Sequence, residues 1–344
     1  MVKFPEKIEN VQQLEELLSR PTEKVVELFK TLDGDILFLG IAGKIGPSIA
    51  QMAKRAIDQA GVFKRVIGVS RFSNEKEKKH IESFGIETIQ GDLLEPDFIN
   101  SLPKVKNVIY LAGMKFGAEG KLPFTWAMNS YVPAMVAEHF KESGIVAFST
   151  GCVYPLVSVE SGGAVETDRP FAVGEYAQSC LGRERMFEYG SIKYNTPVSL
   201  IRLNYAVEMR YGVLVDIATK VKNRQPVDLS MGYFNVIWQG DSNNMVLRAL
   251  GHCESPAKIF NITGPILSVR DLAKEFGRLF GIEPKLTGEE KQTAFLSNPQ
   301  LAYSILGQPE MPVNQIVKWV AEWINDGHDL LGKPTHFEVR DGKY

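Results

Sequence analysis

The apolar run Ile36-Leu37-Phe38-Leu39 leads directly into Gly40-Ile41-Ala42-Gly43-Lys44-Ile45-Gly46, three glycines spaced by three. Such a run suits a strand buried on both faces. The period then changes: Pro47, Ile49, Met52, Ala53 and Ala56 put apolar residues on one side of a helix, and Pro47 fits its first turn. A strand, a glycine turn and a helix in that order leave few architectures open. Gly40 permits a tight turn, Gly43 allows close approach to the backbone, and Gly46 lets the helix pack near the sheet. With Lys44 and Ile45, the unpaired N–H groups at the helix start form an anion site of the kind that takes a dinucleotide pyrophosphate.

Strand and helix signals alternate after this loop. Val66-Ile67-Gly68-Val69, Ile86-Glu87-Thr88-Ile89, Val108-Ile109-Tyr110-Leu111 and Ile145-Val146-Ala147-Phe148 read as strands, with helical stretches such as 126–140 between most of them. Residues 197–203 and 259–262 add two more strands. This order predicts an α/β fold, a doubly wound parallel Rossmann sheet. Residues 213–221, 241–250, 269–279 and 313–324 read as helices, and 235–238 as extended. The expected division is an N-terminal helical extension (1–33), a dinucleotide-binding domain (34–206, with returning segments at about 235–262), a smaller substrate lobe (207–234 and 263–330) and a tail (331–344). In the extension, Asn10 with Gln13 forms a capping box before Leu14, Leu17 and Leu18. Thr22 caps a second helix carrying Val25, Phe29 and Leu32. The pair is expected to pack on the main domain or at a subunit contact.

Composition narrows the function. A net charge of −2 over 344 residues gives no reason to expect nucleic acid or an anionic membrane as partner. The alternating Glu75-Lys76-Glu77-Lys78-Lys79-His80 is a solvated helix face. The N-terminus lacks the apolar core of a signal peptide, and no apolar stretch is long enough to span a bilayer. Cys152, Cys180 and Cys253 are widely spaced, as reduced thiols would be, and the five histidines are dispersed, so neither a metal site nor a Ser-His-Asp triad is expected. A cytoplasmic protein with a small-molecule substrate is the expectation.

The end of the second strand bears on the cofactor. An acid there would accept the ribose hydroxyls of NAD, whereas the chain has Ser70 and Arg71. A guanidinium pairs with a 2′-phosphate, so NADP is preferred to NAD. Asp92, before Leu93, is a candidate acceptor for the adenine amino group, or a turn residue.

In this order the motifs resemble the extended short-chain dehydrogenase/reductase family, of the NAD(P)-dependent sugar epimerase and dehydratase type, over about residues 34–325. The glycine loop is similar to the family's signature, and Asp92 matches its adenine-contacting acid. Leu111-Ala112-Gly113 falls where the family lines the cofactor, and Asn129 where it places an asparagine. Ser149-Thr150-Gly151-Cys152-Val153-Tyr154 resembles the strand-five motif, with Thr150 in the catalytic place and Ser149 beside the cofactor. Arg202-Leu203, Asp241 and Phe260-Asn261-Ile262-Thr263-Gly264 also fall in family-like positions. The resemblance implies hydride transfer from a substrate carbinol, with Tyr176 exchanging the hydroxyl proton and contacting the cofactor while Thr150 orients the oxygen. It also implies a homodimer through helices at 126–140 and 176–189, which carry Trp126, Val132, Phe140, Met186 and Phe187.

One residue departs from the pattern. The family places a lysine four residues after the tyrosine, where it favours the phenolate and holds the nicotinamide ribose; here that residue is Cys180. Three explanations follow. Another cation substitutes, with Lys115 and Arg183 as candidates; or Tyr176 and Thr150 work without one; or the chain binds the dinucleotide without redox chemistry. A nucleophilic or redox role for Cys180 has no basic partner in the sequence. Gly151 and Cys152 stand where family dehydratases carry acids, which argues against a 4,6-dehydratase. The expected function is therefore an NAD(P)-dependent oxidoreductase or epimerase (an isomerase) acting on a hydroxyl of a sugar, sugar acid or nucleotide-sugar. The rival is a catalytically silent NADP-binding sensor or structural protein. Arg210, Tyr211, Arg224 and Tyr233 in the lobe are candidates to meet a polar ligand, but form no phosphate-binding pattern.

Overall fold

The computed structural model describes residues 4–115 and 121–342. The predicted apolar runs become a seven-stranded sheet: β1 Ile36–Leu39, β2 Val66–Ser70, β3 Glu87–Gln90, β4 Asn107–Tyr110, β5 Gly144–Thr150, β6 Val198–Leu203 and β7 Lys258–Ile262. They lie in the order β7-β6-β5-β4-β1-β2-β3, every neighbouring pair parallel. β1 and β4 are buried along their whole length, as their apolar sequences require. β3, at one edge, is polar and partly exposed, which suits a strand with an unpaired side. The order reverses between β1 and β4, opening a crevice at the strands' C-terminal ends.

Six helices position the site: α1 Val11–Leu18, α2 Glu23–Thr31, α3 Gly46–Ala60, α4 Gly174–Tyr194, α5 Val213–Lys222 and α6 Gln239–Ala249. The N-terminal pair is sewn into the core. Val25 and Phe29 pack with the α3 side of the sheet, and Leu14, Leu17 and Leu18 join Trp319 in the lobe core. Asn243 on α6 donates to the Leu18 carbonyl (3.1 Å), and Asn244 accepts from Thr22 N–H (2.8 Å). The capping chemistry differs in detail from that expected. Asn10 Oδ1 accepts from Gln13 N–H (2.9 Å), but the Gln13 side chain reaches back to Glu9 N–H (2.7 Å) rather than to Asn10. Thr22 stands at the N-cap of α2 with no side-chain bond to it.

Three of the five residues named for a dimer need a correction. Val132, Phe140 and Phe187 lie in the sheet's core cluster, each at most 1% exposed, so they carry no surface. Trp126 is exposed and Met186 half-buried, unlike the other three, and Tyr131 and Tyr189 on the same helices are exposed as well. Among the described residues no helix is long and apolar enough to cross a membrane.

Beyond β6 the chain builds the lobe, where α5 packs on the helices Val269–Phe280 and Val313–Asn325 around a second core, and returns to the sheet as β7. Residues 328–342 then run back over the lobe, with Thr335 and Phe337 buried.

Candidate functional site

The glycine loop has the geometry its spacing predicts. Gly40 takes φ +89°, where side chains are strained, and a Cβ on it would stand 2.7 Å from Ala112 N. A Cβ on Gly46 would lie 2.0 Å from the Ile41 carbonyl oxygen, so only glycine lets α3 start this close to the loop. Around Gly43 the same test meets just one atom, the Gly40 oxygen at 3.2 Å, leaving its outer side open. Lys44 extends into the cleft with Nζ 2.9 Å from the centroid of the Tyr211 ring. Desolvation there lowers its pKa to about 7, with Lys115 and Lys333 adding repulsion and Glu208 opposing, although the residue as a whole remains exposed.

A cavity of about 250 Å³ runs from this loop along the strand ends, past Gly40, Gly43, Ser70, Arg71, Asp92, Leu93, Leu111, Ala112 and Gly113. It thus gathers most of the residues expected at a dinucleotide. Arg71 is exposed at its rim. Asp92 also holds its own turn, accepting from Leu94 N–H at 3.0 Å. Phe72, Ser73, Glu77 and Met128 line the same space and were not anticipated; Phe72 is buried in an unusual conformation with φ 45°. Burial raises the Glu77 carboxyl.

Tyr176 lies in the first turns of α4, half-buried, and burial pushes its phenol well above the usual value of 10. Thr150 ends β5 and its Oγ1 accepts from Cys152 N–H (3.2 Å). Cys180 is 1% exposed in a cluster with Val153, Tyr154 and Ala164, against Tyr176 and Leu181; burial raises its thiol. Two cations stand near. Lys115 Nζ is 5.8 Å from the Tyr176 ring centroid and donates to Thr335 O at 3.5 Å; burial lowers its pKa. Arg183 lies wholly inside, donating from Nη1 to Phe148 O (2.8 Å) and from Nη2 to Asn129 Oδ1 (2.6 Å), and its charge opposes the burial of Tyr176 and Cys180. Among the described residues its Nε has no hydrogen-bond partner. The helical period could have placed this residue. Seven residues after Tyr176 is two turns, almost the same face, whereas four residues reach Cys180.

Asn129 explains how the loop is held. It sits at the centre of a π-helical turn, Ala127–Tyr131, a feature frequent at functional sites. It accepts from Met114 N–H (2.9 Å) and donates to Met114 O and Ser179 Oγ (2.9 Å each). Fully buried, it clamps the loop after β4 to α4. Ser149 also faces inward, donating to Glu184 Oε1 at 2.6 Å. Glu184 pairs with Arg202 in a bidentate bridge (3.0 and 2.7 Å), and Arg202 reaches the Tyr154 hydroxyl (2.6 Å), all of it buried. The network fixes α4 to the sheet under the site. Asp241 accepts from Met311 N–H (3.0 Å), and burial raises its pKa to about 6.

No family model and no curated protein sequence matches the chain. Its fold is nonetheless shared with solved structures. A UDP-glucose 4-epimerase from Thermotoga maritima, solved with UDP-glucose, aligns with TM-score 0.70 at 17% identity over 85% of this chain and 99% of that one. A UDP-glucuronic acid 4-epimerase from Bacillus cereus, in complex with NAD, gives 0.69 at 16% over the same shares. A dTDP-glucose 4,6-dehydratase from Streptomyces venezuelae, with NAD bound, gives 0.72 at 14% over 85% and 97%. At such identities the likeness establishes the Rossmann-like α/β fold.

Proposed function

We propose that this chain is a nicotinamide-dinucleotide-dependent oxidoreductase or epimerase that acts on a hydroxyl of a sugar or sugar-like molecule. The dinucleotide suits the residues present: the open side of Gly43, the start of α3 and the cavity along Ser70, Asp92 and Leu111 form one continuous cradle. When bound, the nicotinamide supplies hydride transfer. In this reading Tyr176 exchanges the substrate hydroxyl proton, Thr150 orients the same oxygen, and Lys44 meets the pyrophosphate. Arg71 at the rim supports NADP over NAD. The solved structures cited with NAD support the dinucleotide but not this preference.

The observation that carries the enzymatic reading is the presence of two cations at Tyr176 despite the cysteine at position 180. Lys115 faces the ring at 5.8 Å, and Arg183 lies behind it on the same helix. Binding of an oriented substrate would let them hold a phenolate that burial alone disfavours. A second reading, dinucleotide binding without turnover, is favoured by the apolar cluster around Cys180 and the raised Tyr176 phenol.

Titration with NADPH and NADH, then a hydride-transfer screen with sugars, sugar acids and nucleotide-sugars, separates the two. Turnover that is lost in Tyr176→Phe and in Lys115→Met, with cofactor affinity retained, supports the enzyme. Tight cofactor binding with turnover only in Cys180→Lys supports the silent binder.

A further inference from the structure

Residues 331–344 are expected from the sequence to form a tail, but from 335 to 342 the chain is packed as part of the cleft. Thr335, 1% exposed, donates from its N–H (2.8 Å) and Oγ1 (2.6 Å) to Asp216 Oδ2 on α5. Its carbonyl accepts from Lys115 Nζ on the sheet side. Phe337, equally buried, meets the Phe234 ring edge to face at 6.0 Å. Arg340 donates to Ser230 O (3.1 Å), Thr293 O (2.7 Å) and Thr293 Oγ1 (2.6 Å). Gly342 closes on the start of α4 so tightly that a Cβ there would lie 2.2 Å from Val173 O.

The segment therefore touches both walls of the crevice, Lys115 and Val173 on the sheet side and Asp216, Ser230 and Thr293 on the lobe side. Thr335 thus stands between Lys115, which faces the Tyr176 ring, and Asp216 on α5 of the lobe. Two buried side chains and an arginine with three oxygen acceptors hold it as fold, not as a loose cover. We infer that residues 331–342 are a built-in partition of the cleft, and that the substrate is a small polyol or hydroxy acid carrying no nucleoside diphosphate. This rests on the hydride-transfer reading above and deepens it, since the Thermotoga maritima epimerase was solved with UDP-glucose.

The test uses the full chain. Titration with NADH and NADPH comes first, because failure there strikes the dinucleotide reading and leaves the partition to be judged separately. Hydrogen exchange across 331–342 is then followed with UDP and UDP-glucose at about 1 mM, where even a weak site would fill appreciably. Protection of the Leu331, Thr335 and Val339 amides that neither probe alters, no binding of either probe, and turnover confined to unlinked polyols or hydroxy acids are expected. Arg340→Ala, which leaves Tyr176 and the glycine loop untouched, is expected to raise exchange in the segment about tenfold. Binding of UDP-glucose to the wild-type chain, with or without loosening of 331–342, would overturn the inference. So would fast exchange of the Leu331, Thr335 and Val339 amides in the wild-type chain.

Discussion

Replacing Gly113 by alanine puts a methyl group where Arg183 already is. The added Cβ would stand 2.3 Å from Arg183 Nη2 and 3.0 Å from Asn129 Oδ1, while the backbone at Gly113 is one that alanine adopts freely. Ordinary contact requires the guanidinium to withdraw by about 1 Å, enough to break the 2.6 Å bond to Asn129 or the 2.8 Å bond to Phe148 O. A lost hydrogen bond to a charged group costs about 1.5–3 kcal/mol, and overpacking about 1–3, so Gly113→Ala is expected to destabilise by about 2–4 kcal/mol. Urea unfolding with unchanged slope measures this as a lower midpoint. The decisive comparison is the same substitution in an Arg183→Leu background. There the alanine meets only Asn129, and its cost is expected to fall below about 1 kcal/mol, a coupling of about 1–3 kcal/mol. Equal losses in both backgrounds, or a loss under about 0.5 kcal/mol in the wild type, would refute the packing of Arg183 beneath Gly113.

Other consequences are equally direct. Burial raises the folded-state Asp241 carboxyl from 3.8 to about 6, so the native state binds the proton more tightly and stability falls as pH rises through that window. Asp241→Asn is therefore expected to gain about 1–3 kcal/mol on the wild type between pH 4 and pH 7, read as urea midpoints. Lys44, lowered to about 7 by desolvation, loses its charge above neutrality. Dinucleotide affinity is then expected to fall about three- to tenfold from pH 6 to 8.5 by fluorescence titration, and a Lys44→Ala chain to show no such slope. Arg202→Met strands the Glu184 carboxylate in the core and is expected to cost about 3–5 kcal/mol in the same unfolding assay.

The sheet was legible because its strands are apolar runs buried on both faces, and the glycine loop because each glycine answers a steric need that any side chain would violate. The contact around Arg183 was not. The helical period puts Arg183 on the Tyr176 side of α4, but its packing depends on the missing side chain of Gly113, seventy positions away, and on a π-helical turn that aims Asn129 at it; neither leaves a local mark in the sequence. Ser149 and Asn129 stood at the expected positions, but their side chains point into packing that residue type alone does not reveal. The partition was missed for a related reason. Gly332-Lys333-Pro334 is exposed chain, and what anchors the next residue, Thr335, is Asp216, more than a hundred residues earlier.

The strand order also has a consequence for synthesis. β6 is buried along nearly its whole length and carries Val198, Leu200, Ile201 and Leu203, yet its outer neighbour, β7, lies 55 residues farther on, with much of the lobe between. At ribosomal rates of about 5–20 residues per second, that edge waits about 3–11 s for its partner. During that time the nascent chain presents a long, flat, sticky border, the kind of surface that recruits another copy or a chaperone. Chains stalled on the ribosome at residue 240 are expected to crosslink to a chaperone through residues 198–203, and chains stalled at 310 to have lost that contact.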